Sequence, residues 1–189
     1  MCGRLNIVDD PLAQLVSEFL GINFKPVANR NLCPSETVAT VIRPPSGFDQ
    51  VNAKWGLQPS WSTKLLINAQ AESVDQKQTF KDAIVHSRCL IPITGWYEWK
   101  LDALQKVKYE FVHQDNRPIY MGGLLFNPNK PQLVTLTKSP MLACSKIHNR
   151  MPVLINQEHI EDWFDCPTQE LSSLYNQQNI EYIKINRCN

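Results

Sequence analysis

The spacing of apolar and polar positions predicts one amphipathic helix near the start of the chain and a run of short strands after it. From Asp10 to Gly21, Leu12, Leu15, Val16, Phe19 and Leu20 recur at helical spacing, with Pro11 just inside the start and Gly21 at the stop. The pattern then turns β-branched or alternating at Thr37 to Arg43, Val51 to Trp55 and Arg88 to Ile93, each bounded by Pro, Gly or Asn. Thr94-Gly95 separates Cys89–Ile93 from Trp96–Lys100 and predicts a hairpin. Further strands are expected at Val107 to Val112, Ile119 to Phe126 and Gln132 to Thr137, and short helices at Asp75 to Val85, Gln157 to Trp163 and Thr168 to Asn176. With no internal repeat or long linker, the economical architecture is one α+β domain over residues 1–189, an antiparallel sheet or barrel flanked by helices.

Composition adds little to this picture. The chain has 189 residues, 43% of them hydrophobic, enough for a core, and its formal charge of +1 neither argues for a polyanionic partner nor excludes one. Six cysteines stand singly at 2, 33, 89, 144, 166 and 188, without a Cys-x-x-Cys pair, and read as reduced thiols. No Cys/His spacing fits zinc, so neither a metal nor a cofactor is expected. The N-terminus lacks a signal sequence and no apolar run is long enough to span a bilayer, which predicts a cytoplasmic protein with no membrane partner.

The chemistry starts at Cys2. Removal of Met1 leaves an amine and a thiol on one residue, a 1,2-aminothiol that captures an aldehyde first as an imine and then as a five-membered thiazolidine. By itself a Cys at position two is more simply a frayed terminal residue. Gly3 lets the backbone approach a ligand, and Arg4 puts a planar cation two residues away, although a lone Arg is also an ordinary surface charge.

Further along, Trp55 to Trp61 forms an aromatic-bracketed loop leading through Leu65-Leu66-Ile67 to Asn68. Asn68 reads either as an amide aimed at a reacting group or as a turn residue, and Trp61 either as a stacking platform or as core. In Gly95-Trp96-Tyr97-Glu98-Trp99, alternation puts Trp96 and Glu98 on one face and Tyr97 and Trp99 on the other. Glu98 is then either a desolvated carboxyl tuned for general acid catalysis or half of an ion pair. His148, beside Arg150 and before an apolar segment, is the candidate proton shuttle, while His86, His113 and His159 read as structural.

In order, Cys2-Gly3-Arg4, Asn31-x-x-Pro34, Trp55-Gly56, Asn68-Ala69-x-x-Glu72, Arg88 to Pro92, Gly95 to Trp99 and His148-x-Arg150-Met151-Pro152 resemble the SRAP family, the SOS response-associated peptidase-like proteins. The resemblance runs from Cys2 to about Val153 and implies a protein that senses abasic sites in single-stranded DNA. It implies capping of those sites by a thiazolidine crosslink, with lyase or autoprocessing peptidase activity alongside. It makes Cys2 the nucleophile, Asn68 an orienting group, Glu98 the acid/base and His148 a proton-transfer assistant. Arg4 and Arg150 would hold phosphates, and Pro34 and Trp61 would line the strand's path. The expected partner is single-stranded DNA containing abasic sites, bound by a monomer that associates with the nucleoid through it. Gln70 stands where the family usually has Arg, which implies one phosphate contact fewer unless Lys54, Lys64 or Lys138 replaces it. Two other classes compete: an N-terminal-nucleophile amidotransferase or peptidase using Cys2, and a non-catalytic single-strand-binding module built on Arg4, Trp61 and Arg150.

Overall fold

The computed structural model describes residues 3–103, 105–177 and 182–188. In chain order β1 (Leu5–Ile7) leads into α1 (Asp9–Leu20), followed by β2 (Asn29–Leu32), β3 (Thr37–Ile42), β4 (Asp49–Trp55) and β5 (Asn68–Gln70). Next come α2 (Lys81–His86), β6 (Arg88–Ile93), β7 (Gly95–Asp102), β8 (Gln105–His113), β9 (Ile119–Phe126) and β10 (Gln132–Lys138). The remainder is α3 (Leu142–Ser145), β11 (Met151–Pro152), β12 (Leu154–Ile155), α4 (Ile160–Asp165), α5 (Leu171–Gln177) and β13 (Ile183–Arg187). The class is α+β.

Five strands close on themselves in the order β10-β4-β3-β6-β9 and back to β10, which makes a small barrel. Closure depends on one parallel pairing, Gln132 and Leu133 of β10 against Lys54 and Trp55 of β4, in an otherwise antiparallel ring. β5 also runs parallel to β10, and β11 and β12 extend the sheet at its far end. A second, antiparallel sheet has the order β13-β8-β7-β1-β2. One apolar cluster joins both sheets, with Leu5, Trp55, Trp96, Phe111 and Trp163 inside it. Trp96 stacks on Phe111 with centroids 4.6 Å apart, a pairing that adds about 1 kcal/mol to the burial of the two rings.

α1 forms where the periodicity predicts it. Leu12, Val16 and Leu20 are buried, and Gly21 ends the helix in a left-handed conformation (φ 67°), its N–H returning to Ser17 O at 2.9 Å.

The predicted hairpin at Thr94-Gly95 does not form. β6 pairs with β3 and β9, whereas β7 pairs with β1 and β8, so the two residues carry the chain from the barrel into the second sheet. The physical reason lies in burial on both sides: Cys89 through Ile93 are all inside, which a hairpin with one wet face does not allow. Thr94 N donates to Asn6 O at 3.0 Å and fixes the crossing. Gly95 is required there, because a Cβ would stand 2.4 Å from Phe111 O. The helix predicted over Asp75 to Val85 shrinks to α2, preceded by a single 3-10 turn at Ala71–Ser73 and by the turn Phe80 N to Lys77 O. The other two predicted helices open as 3-10 turns at Gln157–His159 and Thr168–Glu170 and continue as α4 and α5.

Candidate active site

The two sheets bring Glu98 and His148 together. Glu98 lies on the inward face of β7 with Trp96, and its side chain is buried. His148 follows α3, its N–H bonded to Cys144 O at 3.1 Å. Glu98 Oε2 and His148 Nε2 are 4.0 Å apart, too far for a hydrogen bond and close enough to share one reacting group. Arg150 N and Arg150 O lie 3.0 and 3.2 Å from His148 Nδ1, so the Arg150 backbone holds the ring with Nε2 facing Glu98. Burial raises the Glu98 carboxyl to about 7 and holds His148 below its ordinary value. Near neutral pH, Glu98 is therefore divided between acid and base forms beside an uncharged imidazole.

Asn68 opens β5 opposite Thr135 of β10. Its Oδ1 takes the Thr135 hydroxyl proton, which fixes the amide's orientation. Thr135 Oγ1 also lies 3.1 Å from Ile67 O, and Trp55 Nε1 donates to that same carbonyl at 3.1 Å. Asn68 thus sits on a braced strand rather than in a loose turn.

Arg150 is held on two sides. Its Nη1 and Nη2 meet Glu72 Oε1 and Oε2 at 2.8 Å each, and Nη2 also donates to Thr137 O at 2.6 Å. Glu72 also accepts from Ser139 N at 2.9 Å, and the Arg150 guanidinium holds its carboxyl down at about 2. This pair fixes the loop that carries His148. Glu72 closes the Asn68-Ala69-x-x-Glu72 motif, but its partner lies 78 positions along the chain, beyond the reach of any local pattern.

The remaining predicted residues lie around this centre. Arg4 is half-buried at the head of β1, with Nη1 on Gly3 O at 2.8 Å and its own carbonyl accepting from Tyr97 N at 3.0 Å. Pro34 is half-buried in the β2–β3 turn, where Ser35 N donates to Trp55 O at 2.7 Å and ties that turn to the root of the Trp61 loop. The loop is pinched off by the Leu57–Leu66 bridge, and Trp61 at its tip is 69% exposed. Trp55, by contrast, is entirely buried. Gln70 is exposed at the end of β5, opposite Thr137. Of the cations considered as substitutes for the Arg absent at that position, Lys54 and Lys64 are exposed. Lys138 is excluded: it is buried, and its Nζ donates to Tyr175 O at 2.5 Å. Cys2 lies outside the described residues.

Cys144 is buried within electrostatic reach of Glu98 and Lys138, and burial pushes its thiol up to about 11, so it is a protonated packing residue. Two of the other histidines have structural partners: His113 stacks on Tyr182 at 4.6 Å, and His159 Nδ1 lies 3.1 Å from Asp162 Oδ2. Among the described residues, no cluster of three or more His, Cys, Asp or Glu could hold a metal ion, and no helix is long and apolar enough to cross a membrane.

A small closed barrel with a second sheet set against it, and a Glu–His pair where they meet, defines the class. The chain belongs to the SOS response associated peptidase (SRAP) family, whose model matches residues 1–188. It is similar to the abasic site processing protein YoqW of Bacillus subtilis, with 28% identity covering 87% of this chain and 80% of YoqW. It is also similar to the abasic site processing protein YMR114C of Saccharomyces cerevisiae, with 25% identity covering 84% of this chain and 48% of the yeast protein. The fold matches the crystal structure of a protein from Bordetella bronchiseptica with a TM-score of 0.84, 18% identity and both chains fully covered. A phage-related protein from the same organism gives a TM-score of 0.81 at 22% identity, covering 99% of this chain and 94% of its own.

Proposed function

We propose that this protein processes abasic sites in single-stranded DNA, and that it does so by capping them covalently through Cys2 once Met1 is removed. The observation that carries this reading is the buried Glu98–His148 pair beside the first strand. Arg4 O accepts from Tyr97 N, one residue from Glu98, and Cys2 stands two positions before Arg4 in the sequence. The relatives' names supply the substrate class.

The chemistry follows from the groups present. Protonated Glu98 gives its proton to the ring oxygen of the deoxyribose as the C1′–O4′ bond breaks, and the C1′ hydroxyl gives its proton to the neutral His148 imidazole, which exposes an aldehyde. The Cys2 amine attacks that carbon, and the resulting carbinolamine loses water to give an imine. The Cys2 thiol then adds across the C=N bond, with its proton passing to nitrogen, and the thiazolidine ring closes. His148 and ionised Glu98 relay protons between these steps. Asn68, oriented by Thr135, holds the amine or the sugar. Arg4 and Arg150 take flanking phosphates, while Pro34 and Trp61 line the strand's path. Arg150 does this while bridging to Glu72, so its guanidinium serves first to position the His148 loop.

A denaturing gel with a labelled abasic oligonucleotide tests the reading. A heat-stable adduct is expected with the Met-free protein and none with Cys2→Ser. Equal adduct from both proteins sinks it, and glutamine hydrolysis without any adduct favours an amidotransferase instead.

A further inference from the structure

Apart from Arg4, the outward face of the second sheet is used by no step above, and its charge is unlike that of the chain as a whole. Alternation along β7 turns Tyr97, Trp99 and Leu101 away from the core, opposite to Trp96 and Glu98. Strand register places Lys108 across from Trp99 and Lys106 across from Leu101. Lys184 of β13 lies across from Val112 on the same face. Arg4 runs alongside Tyr97, and Arg30 stands near enough to act on the Tyr97 phenol. Among the described residues, Arg4, Lys106, Lys108 and Lys184 thus share this face, with Arg30 close by, against one carboxylate, Glu110, in a chain whose formal charge is only +1. That carboxylate is already engaged, accepting from Asn6 Nδ2 at 2.8 Å.

Lys108 Nζ sits 3.7 Å above the Tyr97 ring and 5.7 Å from that of Trp99, which holds its charge on the face instead of letting it wander. Leu101 beyond it is 67% exposed, and Lys106 and Lys184 are exposed too.

We propose that this face is a docking track for the backbone of single-stranded nucleic acid, running from Arg4 and Lys184 at the Gly95 end of the sheet past Lys108 and Trp99 to Lys106 at the other. The proposal rests on the reading of the adjacent site as one that acts on single-stranded DNA, and it assigns that strand a path beyond the reactive residue. Charge complementarity selects the occupant. Lys106 and Lys108 are two positions apart on one strand face, about 7 Å, a spacing that suits successive phosphates of an extended chain. The Trp99 indole adds a sequence-tolerant surface for a base.

Fluorescence anisotropy of a labelled, undamaged oligothymidylate over a salt series tests the track without requiring any crosslink. For the Lys106→Gln/Lys184→Gln double variant, whose two sites are exposed and whose fold is not at risk, the slope of log affinity against log salt should fall by about 1.4 units. Lys81→Gln/Lys130→Gln removes the same charge from elsewhere and should keep the wild-type slope. An unchanged slope in the first variant, or an equal drop in both, overturns the track. So does labelled polyglutamate binding to this face when the oligonucleotide does not. An adduct without the slope difference refutes the track alone, and the slope difference without an adduct refutes capping alone.

Discussion

Glu98 and His148 face each other at 4.0 Å in a buried site, the carboxyl raised to about 7 and the imidazole held neutral. Two groups displaced in opposite directions by the same burial can exchange a proton near neutral pH, which neither does efficiently at its ordinary value. Glu98→Gln should therefore slow adduct formation about 100-fold at pH 7 and remove the pH dependence near 7. Single-turnover gel kinetics across pH would check both.

The same carboxyl affects stability. Its folded-state value lies above the ordinary 4.5, so folding favours the protonated form. That contribution is complete below about pH 4.5 and is lost as pH rises through about 7. Relative to wild type, the Tm of Glu98→Gln should climb between about pH 5 and pH 8, as thermal melts in a buffer series would show. A constant difference in Tm contradicts a buried, raised carboxyl.

Glu72 behaves in the opposite sense. Arg150 lowers its carboxyl to about 2, so its stabilising contribution is present above about 4.5 and fades as pH falls through about 2. Because Glu72 is partly exposed, Glu72→Gln should cost about 1–2 kcal/mol at pH 7, and acid should narrow the gap. Adduct formation should slow as well, since Arg150 N orients His148. Urea melts at two pH values, paired with the gel assay, separate the two effects.

Much of the fold was legible from the spacing of residue types. Pro11 and Gly21 bracket α1 because the first turn does not need the N–H that Pro lacks and Gly alone enters the left-handed cap without strain, and the β-branched runs became β3, β6 and β10. What failed was pairing: two apolar runs beside a Gly look like a hairpin locally, and only the burial of both faces of β6 reveals that the chain changes sheets. The site was half legible. Glu98 in an aromatic strand and His148 beside Arg150 drew attention by residue type. The Glu72–Arg150 grip and the burial of Lys138 depend on contacts between distant segments, which no local pattern encodes.

Gln70 ends β5 exposed, opposite Thr137, where a longer cation could reach a strand lying over the site. Gln70→Arg should steepen the salt dependence of binding to single-stranded DNA by about 0.7 units and raise affinity. A salt titration by anisotropy checks it, and an unchanged slope places the backbone elsewhere.

Trp61, at the tip of its pinched loop, holds nothing together. Trp61→Ala should alter stability by less than about 0.5 kcal/mol and weaken single-strand binding by about 1–3 kcal/mol. Paired melting and binding measurements decide whether the ring stacks on a base.

The capping chemistry itself is read most directly by intact mass spectrometry of the protein with and without an abasic oligonucleotide. The account predicts a starting mass lacking Met1 and an adduct equal to protein plus oligonucleotide less one water, stable to heat and absent in Cys2→Ala. A Met-free protein that binds the oligonucleotide but yields only its unmodified mass contradicts it.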